Sequence, residues 1–219
     1  RRTAKDMTRH TPERLLLEGE AGSIEVIVDV PAHARGIAVV AHPHPLFGGT
    51  SDNKVVQTLA KAFRDLGYAS VRPNFRGVGA SAGDHDHGIA ETDDLLCVTA
   101  YARERFGELP VVLAGFSFGA YVQTRVARRL EAEGRPVQRM VLVGTASGAV
   151  TGARSYVTEP VPTDTLVIHG EVDETVPLAN VLDWARPQDL PVIVVPGADH
   201  FFHRRLHVIR GIVHNAWRH

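Results

Sequence analysis

Residues 111–121 read Val111-Val-Leu-Ala-Gly115-Phe-Ser117-Phe-Gly119-Ala-Tyr121, and the expectations for the rest of the chain start from them. The stretch opens as a short apolar, β-branched run directly after Pro110, which predicts a buried strand. Beyond Gly119, apolar residues recur at helical spacing with charged residues between them until Gly134. We therefore expect a strand, a sharp turn and an amphipathic helix.

The turn itself carries Gly115-Phe-Ser117-Phe-Gly119, a G-x-S-x-G pattern in the strand–turn–helix setting that holds a nucleophilic serine. We expect Ser117 to have a strained backbone and to place its hydroxyl where N–H groups at the helix start face a developing oxyanion. Side chains at positions 115 and 119 would collide with neighbouring backbone, which requires glycine at both. The alternative is a Gly/Ser turn without a catalytic role.

The composition fits one globular domain over residues 1–219, with residues 1–12 as a polar N-terminal segment. Hydrophobic residues make up 44% and charged residues 22%, and the net charge of −1 gives no support for a nucleic-acid or membrane partner. The single cysteine, Cys97, excludes an internal disulfide. Neither a membrane-spanning run nor the apolar core of a signal peptide is present, so we expect a cytoplasmic protein of undetermined oligomeric state.

Predicted strands and helices alternate, which favours an α/β fold with a mainly parallel sheet and helices on both faces. The expected strands are 13–20 and 23–31, a hairpin turning at Ala21-Gly22, then 36–42, 68–72, 111–116, 137–144, 165–169 and 191–195. The expected helices run from a cap at Ser51 or Asp52 to about residue 66, over 89–106, from Gly119 towards Gly134, over 176–185, and from His200 to the end. Residues 42–50, 74–88 and 145–162 are expected to be loops.

Ligand chemistry in such sheets gathers at the carboxyl ends of the strands. Ser117 follows one predicted strand, His169-Gly-Glu-Val-Asp-Glu-Thr-Val-Pro177 follows another, and Gly197-Ala-Asp-His-Phe-Phe202 follows the last. The first parallel strand leads into His42-Pro-His-Pro-Leu-Phe-Gly-Gly-Thr50. A serine, an acid and a histidine thus reach one edge of the sheet in the order Ser, Asp, His.

These motifs resemble the small, lidless serine α/β-hydrolases, and the bacterial subgroup with a His-Pro-His-Pro oxyanion loop in particular, from the first hairpin to the final helix. The resemblance implies the α/β-hydrolase fold without a cap domain. It implies Ser117 as nucleophile, Asp173 as the acid of H-G-x-x-D-x-x-V-P, and His200 as the base of G-A-x-H-x-F. No cofactor is implied.

The activity expected from this resemblance is hydrolysis of carboxylic esters with small acyl groups through an acyl-enzyme. A thioesterase or small peptidase on the same three residues is the main alternative, and a non-catalytic binding protein is a weaker one. Asp173 could instead cap the following helix, which would leave Glu171 or Glu174 as the acid.

The oxyanion hole needs two N–H donors. One is expected from the backbone of Phe118, and the other from the loop that begins at His42. Because Pro43 and Pro45 have no N–H, His44 is the first choice and Leu46 the second. Pro43 stands where the similar hydrolases usually have glycine.

The substrate pocket is expected to be open, because residues 145–162 are too few for a helical cap. Leu46, Phe47, Phe201 and Arg76 are the expected pocket residues, with Phe116, Phe118 and Phe202 as apolar walls or core. Arg76 either binds a substrate carboxylate or pairs with Glu91, Asp93 or Asp94.

A zinc hydrolase is the metal-dependent alternative, since the chain has 12 histidines. His200, His203 and His207 would share a helix face, and His85 and His87 lie in a loop. The chain has neither an H-E-x-x-H pattern nor a cysteine pair. We therefore expect no metal.

Overall fold

Strands and helices alternate within residues 11–217, the part of the chain that a computed structural model of the protein describes. The strands are β1 (Glu13–Gly19), β2 (Gly22–Asp29), β3 (Gly36–Ala41), β4 (Tyr68–Pro73), β5 (Val111–Phe116), β6 (Arg139–Val143), β7 (Gly148–Val150), β8 (Arg154–Tyr156), β9 (Leu166–Gly170) and β10 (Ile193–Val195). The helices are α1 (Lys54–Asp65), α2 (Ile89–Phe106), α3 (Phe118–Ala132), α4 (Leu178–Ala185) and α5 (Leu206–Ala216). Most of the predicted polar segment at residues 1–12 lies outside the described residues.

Eight strands form one sheet in the order β1-β2-β4-β3-β5-β6-β9-β10. The β1–β2 hairpin is antiparallel and joins β4 antiparallel, whereas every pairing from β4 to β10 is parallel. Strands β3 and β5 lie side by side in the middle, and all their residues are buried. Their uninterrupted apolar sequences suit strands that are covered on both faces. The predicted mostly parallel α/β sheet is confirmed.

Helices cover both faces of this sheet. On one face, α1 and α5 pack against the strands and bury side chains such as Phe63 and Ile209. On the other face, α2 and α3 do the same with Val98 and Val126. Each large apolar side chain buried in this way contributes about 1.5–3 kcal/mol, so the two layers hold the carboxyl ends of the strands in fixed positions. The helices within residues 11–217 are too short or too polar to span a bilayer.

The helix cap of α1 and the turn of the first hairpin are each shifted by a residue or two from their predicted positions. The cap of α1 is Asn53 rather than Ser51 or Asp52, because its side-chain oxygen accepts hydrogen bonds from the N–H groups of Val55 and Val56. The hairpin turns at residues 20–21 rather than at Ala21-Gly22, since Gly19 already pairs with Gly22.

Three segments predicted as loop or helix differ more substantially. Residues 145–162 contain the β7–β8 hairpin, and residues 45–47 form a short 3-10 turn within the loop that starts at His42. Helix α5 begins at Leu206 rather than at His200, because Phe202 and Arg204 have positive φ angles that interrupt helical geometry. The assumption that His200, His203 and His207 share a helix face was therefore wrong.

Candidate active site

Ser117 occupies the sharp turn between β5 and α3. Its φ of 57° and ψ of −118° lie in a region that residues with a side chain rarely adopt. The backbone around it is fixed, since Ser117 N–H donates to Val143 O at 2.9 Å and Ser117 O accepts from Tyr121 N at 3.2 Å. The predicted strained backbone at this serine is confirmed.

Gly115 and Gly119 are required by the close approach of other backbone segments. A Cβ on Gly115 would lie 2.7 Å from the nitrogen of Ala120, and one on Gly119 would lie 2.5 Å from the carbonyl oxygen of His42. Real Cβ atoms essentially never come this close to backbone. The predicted steric reason for both glycines is therefore confirmed.

The structure brings Ser117, Asp173 and His200 together at the carboxyl edge of the sheet. His200 Nε2 lies 3.1 Å from Ser117 Oγ, and His200 Nδ1 lies 2.7 Å from Asp173 Oδ2. Because an ionised carboxylate only accepts hydrogen bonds, Nδ1 carries the imidazole proton and Nε2 is left to accept from the serine hydroxyl. All three side chains are largely buried, although Ser117 and His200 reach the wall of a cleft.

Asp173 lies in the loop between β9 and α4, and its two carboxylate oxygens have different hydrogen-bond partners. Its Oδ1 accepts from the N–H groups of Thr175 and Val176 at 2.9 and 2.8 Å, so the carboxylate orders this loop while Oδ2 faces the histidine. The alternative that Asp173 caps the following helix is wrong, because α4 begins at Leu178 after Pro177 and has no side-chain cap. Glu174 is exposed, and Glu171 instead accepts from Gly197 N at 2.7 Å.

Asp199 and His169 lie next to the three hydrogen-bonded side chains and hold the neighbouring segments in place. Asp199, next to His200 in the sequence, binds the side chain of His203. His169 is fully buried, with Nε2 at 3.4 Å from Asp173 Oδ2. Its Nε2 donates to Val176 O at 2.8 Å, and burial lowers the pKa of its imidazole. A neutral His169 thus stabilises the loop that carries Asp173 without adding charge.

The loop that begins at His42 is held by its histidines. His42 Nε2 accepts from Phe75 N at 2.9 Å, so Nδ1 carries the proton and donates to Pro43 O at 2.7 Å. Burial lowers the pKa of His42 to about 4, which keeps the ring neutral. His42 therefore connects this loop to the segment that follows β4.

The two candidates for the second oxyanion donor differ in what their N–H groups do. Leu46 N already donates to His44 Nδ1 at 3.2 Å. Within residues 11–217, the backbone N–H of His44 has no hydrogen-bond acceptor, and the same is true of Phe118 at the first position of α3. Burial and the neighbouring His85 lower the pKa of the His44 side chain to about 4.

Arg76 was predicted to be a pocket residue, and the structure contradicts that assignment. Its Nε and Nη2 donate to the two carboxylate oxygens of Asp94 on α2, at 2.8 and 2.9 Å. This charge-assisted pair fixes the loop at residues 74–88 against α2. The alternative that Arg76 pairs with an acid of α2 is the correct one.

An open cleft of about 210 Å³ runs along Ser117 and His200. The described residues that line it are Pro43, His44, Phe47, Gly48, Gly49, Asn53, Ser117, Thr151, Arg154, Thr175, His200 and Phe201. Phe47 and Phe201 thus line the cleft as predicted, whereas Leu46 is not among the lining residues and is 68% exposed. Phe116, Phe118 and Phe202 are fully buried and belong to the core.

Sequence reasoning missed Arg154, Thr151 and Thr175 as cleft residues. Thr151 and Arg154 belong to the β7–β8 hairpin, which had been expected to be an irregular loop. Thr175 belongs to the quoted stretch of residues 169–177. Its position two residues after Asp173 was the signal that could have identified it as a cleft residue.

The histidines of the metal-dependent alternative lie apart or have other partners. Among residues 11–217, His, Cys, Asp and Glu side chains form no group of three or more arranged to hold a metal ion. His200 is bonded to Ser117 and Asp173, while His203 is bonded to Asp199.

Known proteins match both the sequence and this fold. A family model described as serine aminopeptidase, S33, matches residues 32–161. An uncharacterised protein of Rickettsia prowazekii is 30% identical over 175 residues, which cover 76% of this chain and 71% of that protein. A serine hydrolase without a lid from Xanthomonas campestris has a TM-score of 0.84 and 38% identity, over 94% of this chain and 93% of that one. An α/β serine hydrolase homologue from Coxiella burnetii has a TM-score of 0.81 and 35% identity, over 95% and 98% of the two chains.

Proposed function

The chain belongs to the S33 serine aminopeptidase family of α/β serine hydrolases, and we propose that within this family it hydrolyses small carboxylic esters through an acyl-enzyme. The single observation that supports this most is the hydrogen-bonded series from Ser117 through His200 to Asp173, at 3.1 and 2.7 Å. Those distances are the ones that general-base activation of a serine requires.

The roles of the three side chains follow from their hydrogen bonds. Ser117 Oγ attacks the ester carbonyl carbon while His200 Nε2 takes the hydroxyl proton. Asp173 keeps the imidazole in the correct tautomer and stabilises the imidazolium. The alcohol leaves with that proton, and a water molecule, deprotonated by the same histidine, then releases the carboxylic acid from the serine.

The negative charge that forms on the carbonyl oxygen needs donors in fixed positions. We assign the backbone N–H of Phe118 and of His44 to this role. Support comes from their unoccupied state within residues 11–217 and from the hydrogen bonds of His42, which fix the loop before substrate arrives. Leu46 is less suitable because its N–H is already bonded.

The cleft favours a small ester over a peptide with a free amino terminus. Its volume of about 210 Å³ falls below the usual range of about 300–1,000 Å³ for ligand pockets. An aminopeptidase must bind the ammonium group of its substrate, which calls for a carboxylate. The described lining residues include no Asp or Glu, and their one fixed charge is the guanidinium of Arg154, which would repel an ammonium group.

Replacing the nucleophile tests the proposal. We expect Ser117→Ala to abolish both turnover of p-nitrophenyl acetate and labelling by a fluorophosphonate, with the fold retained by circular dichroism. Full esterase activity in this variant would refute the assignment, and loss of that activity on chelation would favour a metal-dependent reaction.

The acid is tested separately. Asp173→Asn should lower kcat by about 10⁴-fold, the size of effect that follows when the histidine loses its orienting carboxylate. Glu174→Gln is the matched control, because Glu174 neighbours Asp173 in the same loop but is exposed. Equal losses in the two variants would contradict the special position of Asp173.

A panel of esters and thioesters with acyl chains from two to twelve carbons then distinguishes the leading function from its alternative. We expect the highest kcat/KM for short acyl esters. A consistent preference for thioesters would instead identify a thioesterase that uses the same three side chains.

A further inference from the structure

Arg154 places a positive charge at the wall of the cleft that holds Ser117 and His200. It is the only Arg, Lys, Asp or Glu among the described residues that line this cleft. Arginine recognises carboxylate and phosphate oxygens through N–H groups in a rigid plane. Because Arg154 lines the same cleft as Ser117, a substrate that occupies the cleft can reach its guanidinium.

Some N–H groups of the Arg154 guanidinium make no hydrogen bond within residues 11–217. Nε and Nη2 donate to Thr151 O at 3.2 and 3.0 Å, and Nη1 donates to Tyr156 Oη at 3.3 Å. These bonds use three of its five N–H groups. Within residues 11–217, Arg154 has no ion pair with a carboxylate, in contrast to Arg76 and its partner Asp94. The residue is partly exposed, and its charge has no opposite charge paired with it among the described residues.

Neighbouring groups hold Arg154 in place. The guanidinium carbon lies 4.3 Å from the ring centroid of Phe47, which is itself a cleft residue. Such a cation–π contact restricts the side chain without neutralising its charge. The side chain is thus ordered before any ligand arrives, which reduces the entropy lost on binding.

The hairpin that carries Arg154 is fixed to the loop of the catalytic acid. Thr151 donates from its backbone N–H to Thr175 O at 3.1 Å and from its hydroxyl to Glu174 O at 2.9 Å. Asn180 on α4 donates to Ser147 O at 2.9 Å and to Ala149 O at 2.7 Å. The distance between the guanidinium and the reacting groups is therefore set by the fold.

We propose that the preferred ester substrate carries an anionic group, which Arg154 binds while Ser117 attacks the carbonyl carbon. This inference rests on the proposed esterase activity and names the class of substrate for that same cleft. The chemical steps stay as described above, since the anionic group takes no part in bond making or breaking. Arg154 is a specificity residue that acts on substrate binding.

Paired substrates test this on the acyl side and on the alcohol side of the ester. The acyl pair is p-nitrophenyl hemiadipate and p-nitrophenyl hexanoate, which have equal chain lengths and differ in a terminal carboxylate. The alcohol pair is 4-carboxyphenyl acetate and 4-methylphenyl acetate. The readout is the ratio of kcat/KM for the anionic and the neutral ester, compared between wild type and Arg154→Gln. Comparing ratios cancels the intrinsic reactivity of each ester.

For at least one pair, we expect the anionic-to-neutral ratio to fall by about 10-fold in Arg154→Gln, the lower end of what a charged hydrogen bond supplies. The change should lie mainly in KM, because binding remote from the carbonyl stabilises ground state and transition state alike. Arg154→Lys should recover part of the ratio. Arg186→Gln, which removes an exposed arginine paired with Asp183, should leave it unchanged.

An unchanged ratio in Arg154→Gln for both pairs would overturn the inference while leaving the proposed esterase intact. If kcat/KM falls equally for the neutral and the anionic ester, the ratio is also unchanged, and the loss would show a structural role for Arg154. If Arg154→Gln does not fold, the wild-type ratio measured from 0.02 to 0.5 M KCl decides: it should fall with salt, and a constant ratio refutes the inference. Absence of any Ser117-dependent ester hydrolysis would refute the proposed function itself.

Discussion

The strained backbone at Ser117 predicts that removing its side chain altogether stabilises the protein more than shortening it does. We compare Ser117→Gly with Ser117→Ala. Both variants lose the hydroxyl and its hydrogen bond to His200, so that loss cancels in the comparison. They differ in the Cβ, which makes the observed φ of 57° and ψ of −118° unfavourable.

The size of the difference follows from two opposing terms. Relief of a residue held in a sparsely populated conformation is worth about 1–3 kcal/mol. Glycine loses about 0.5–1 kcal/mol more than alanine through its larger conformational freedom in the unfolded chain. We therefore expect Ser117→Gly to exceed Ser117→Ala in free energy of unfolding by about 1 kcal/mol. For a chain of this size, that corresponds to roughly 2–4 °C in Tm.

Thermal melting followed by circular dichroism, together with urea titrations, measures both quantities. Ala100→Gly is the matched control, because Ala100 is exposed in the middle of α2, where glycine should cost about 1 kcal/mol. A Ser117→Gly variant that is no more stable than Ser117→Ala would show that the turn at Ser117 is not strained in the way its dihedral angles indicate.

Two further predictions concern residues that shape the same region. Gly119→Ala should destabilise the protein by about 1–3 kcal/mol, since the new Cβ would lie 2.5 Å from His42 O, whereas Gly211→Ala in the open space of α5 should stabilise it by about 0.5–1 kcal/mol. Similar melting shifts in these two variants would contradict the close approach at Gly119. His42 has a folded-state pKa of about 4 against 6.5 for the free side chain, so the unfolded state takes up its proton first. Its contribution to stability should be complete above pH 6.5 and decline as pH falls towards 4, by up to about 3 kcal/mol. Urea titrations across this range should give a shallower pH dependence for His42→Gln, and an unchanged slope would argue against a neutral buried ring.

The sequence predicted best those features that depend on the ends of strands. Ser117, Asp173 and His200 lie together because each follows a parallel strand, and such strands end at a common edge. Helix α2 was also predicted with the bounds that the structure shows, 89–106.

Features that depend on contacts between distant residues were predicted poorly. The β7–β8 hairpin lacks a clear apolar period, and it is held by hydrogen bonds that Thr151 donates to residues 174–175 and that Asn180 of α4 donates to Ser147 and Ala149. Arg154 was missed for the same reason. The sequence left a substrate carboxylate and three acids of α2 open as partners for Arg76, and only the position of Asp94 in the structure decided between them.

The order of the strands has a consequence for how activity is lost. His200 follows β10, which has three residues, pairs only with β9, and ends the described sheet. Short terminal strands open by local fluctuation at a lower free energy than central ones such as β5. Amide hydrogen exchange should therefore be faster in β10, which leads to His200, than in β5, which leads to Ser117. Mild denaturant should inactivate the enzyme before the molecule unfolds as a whole.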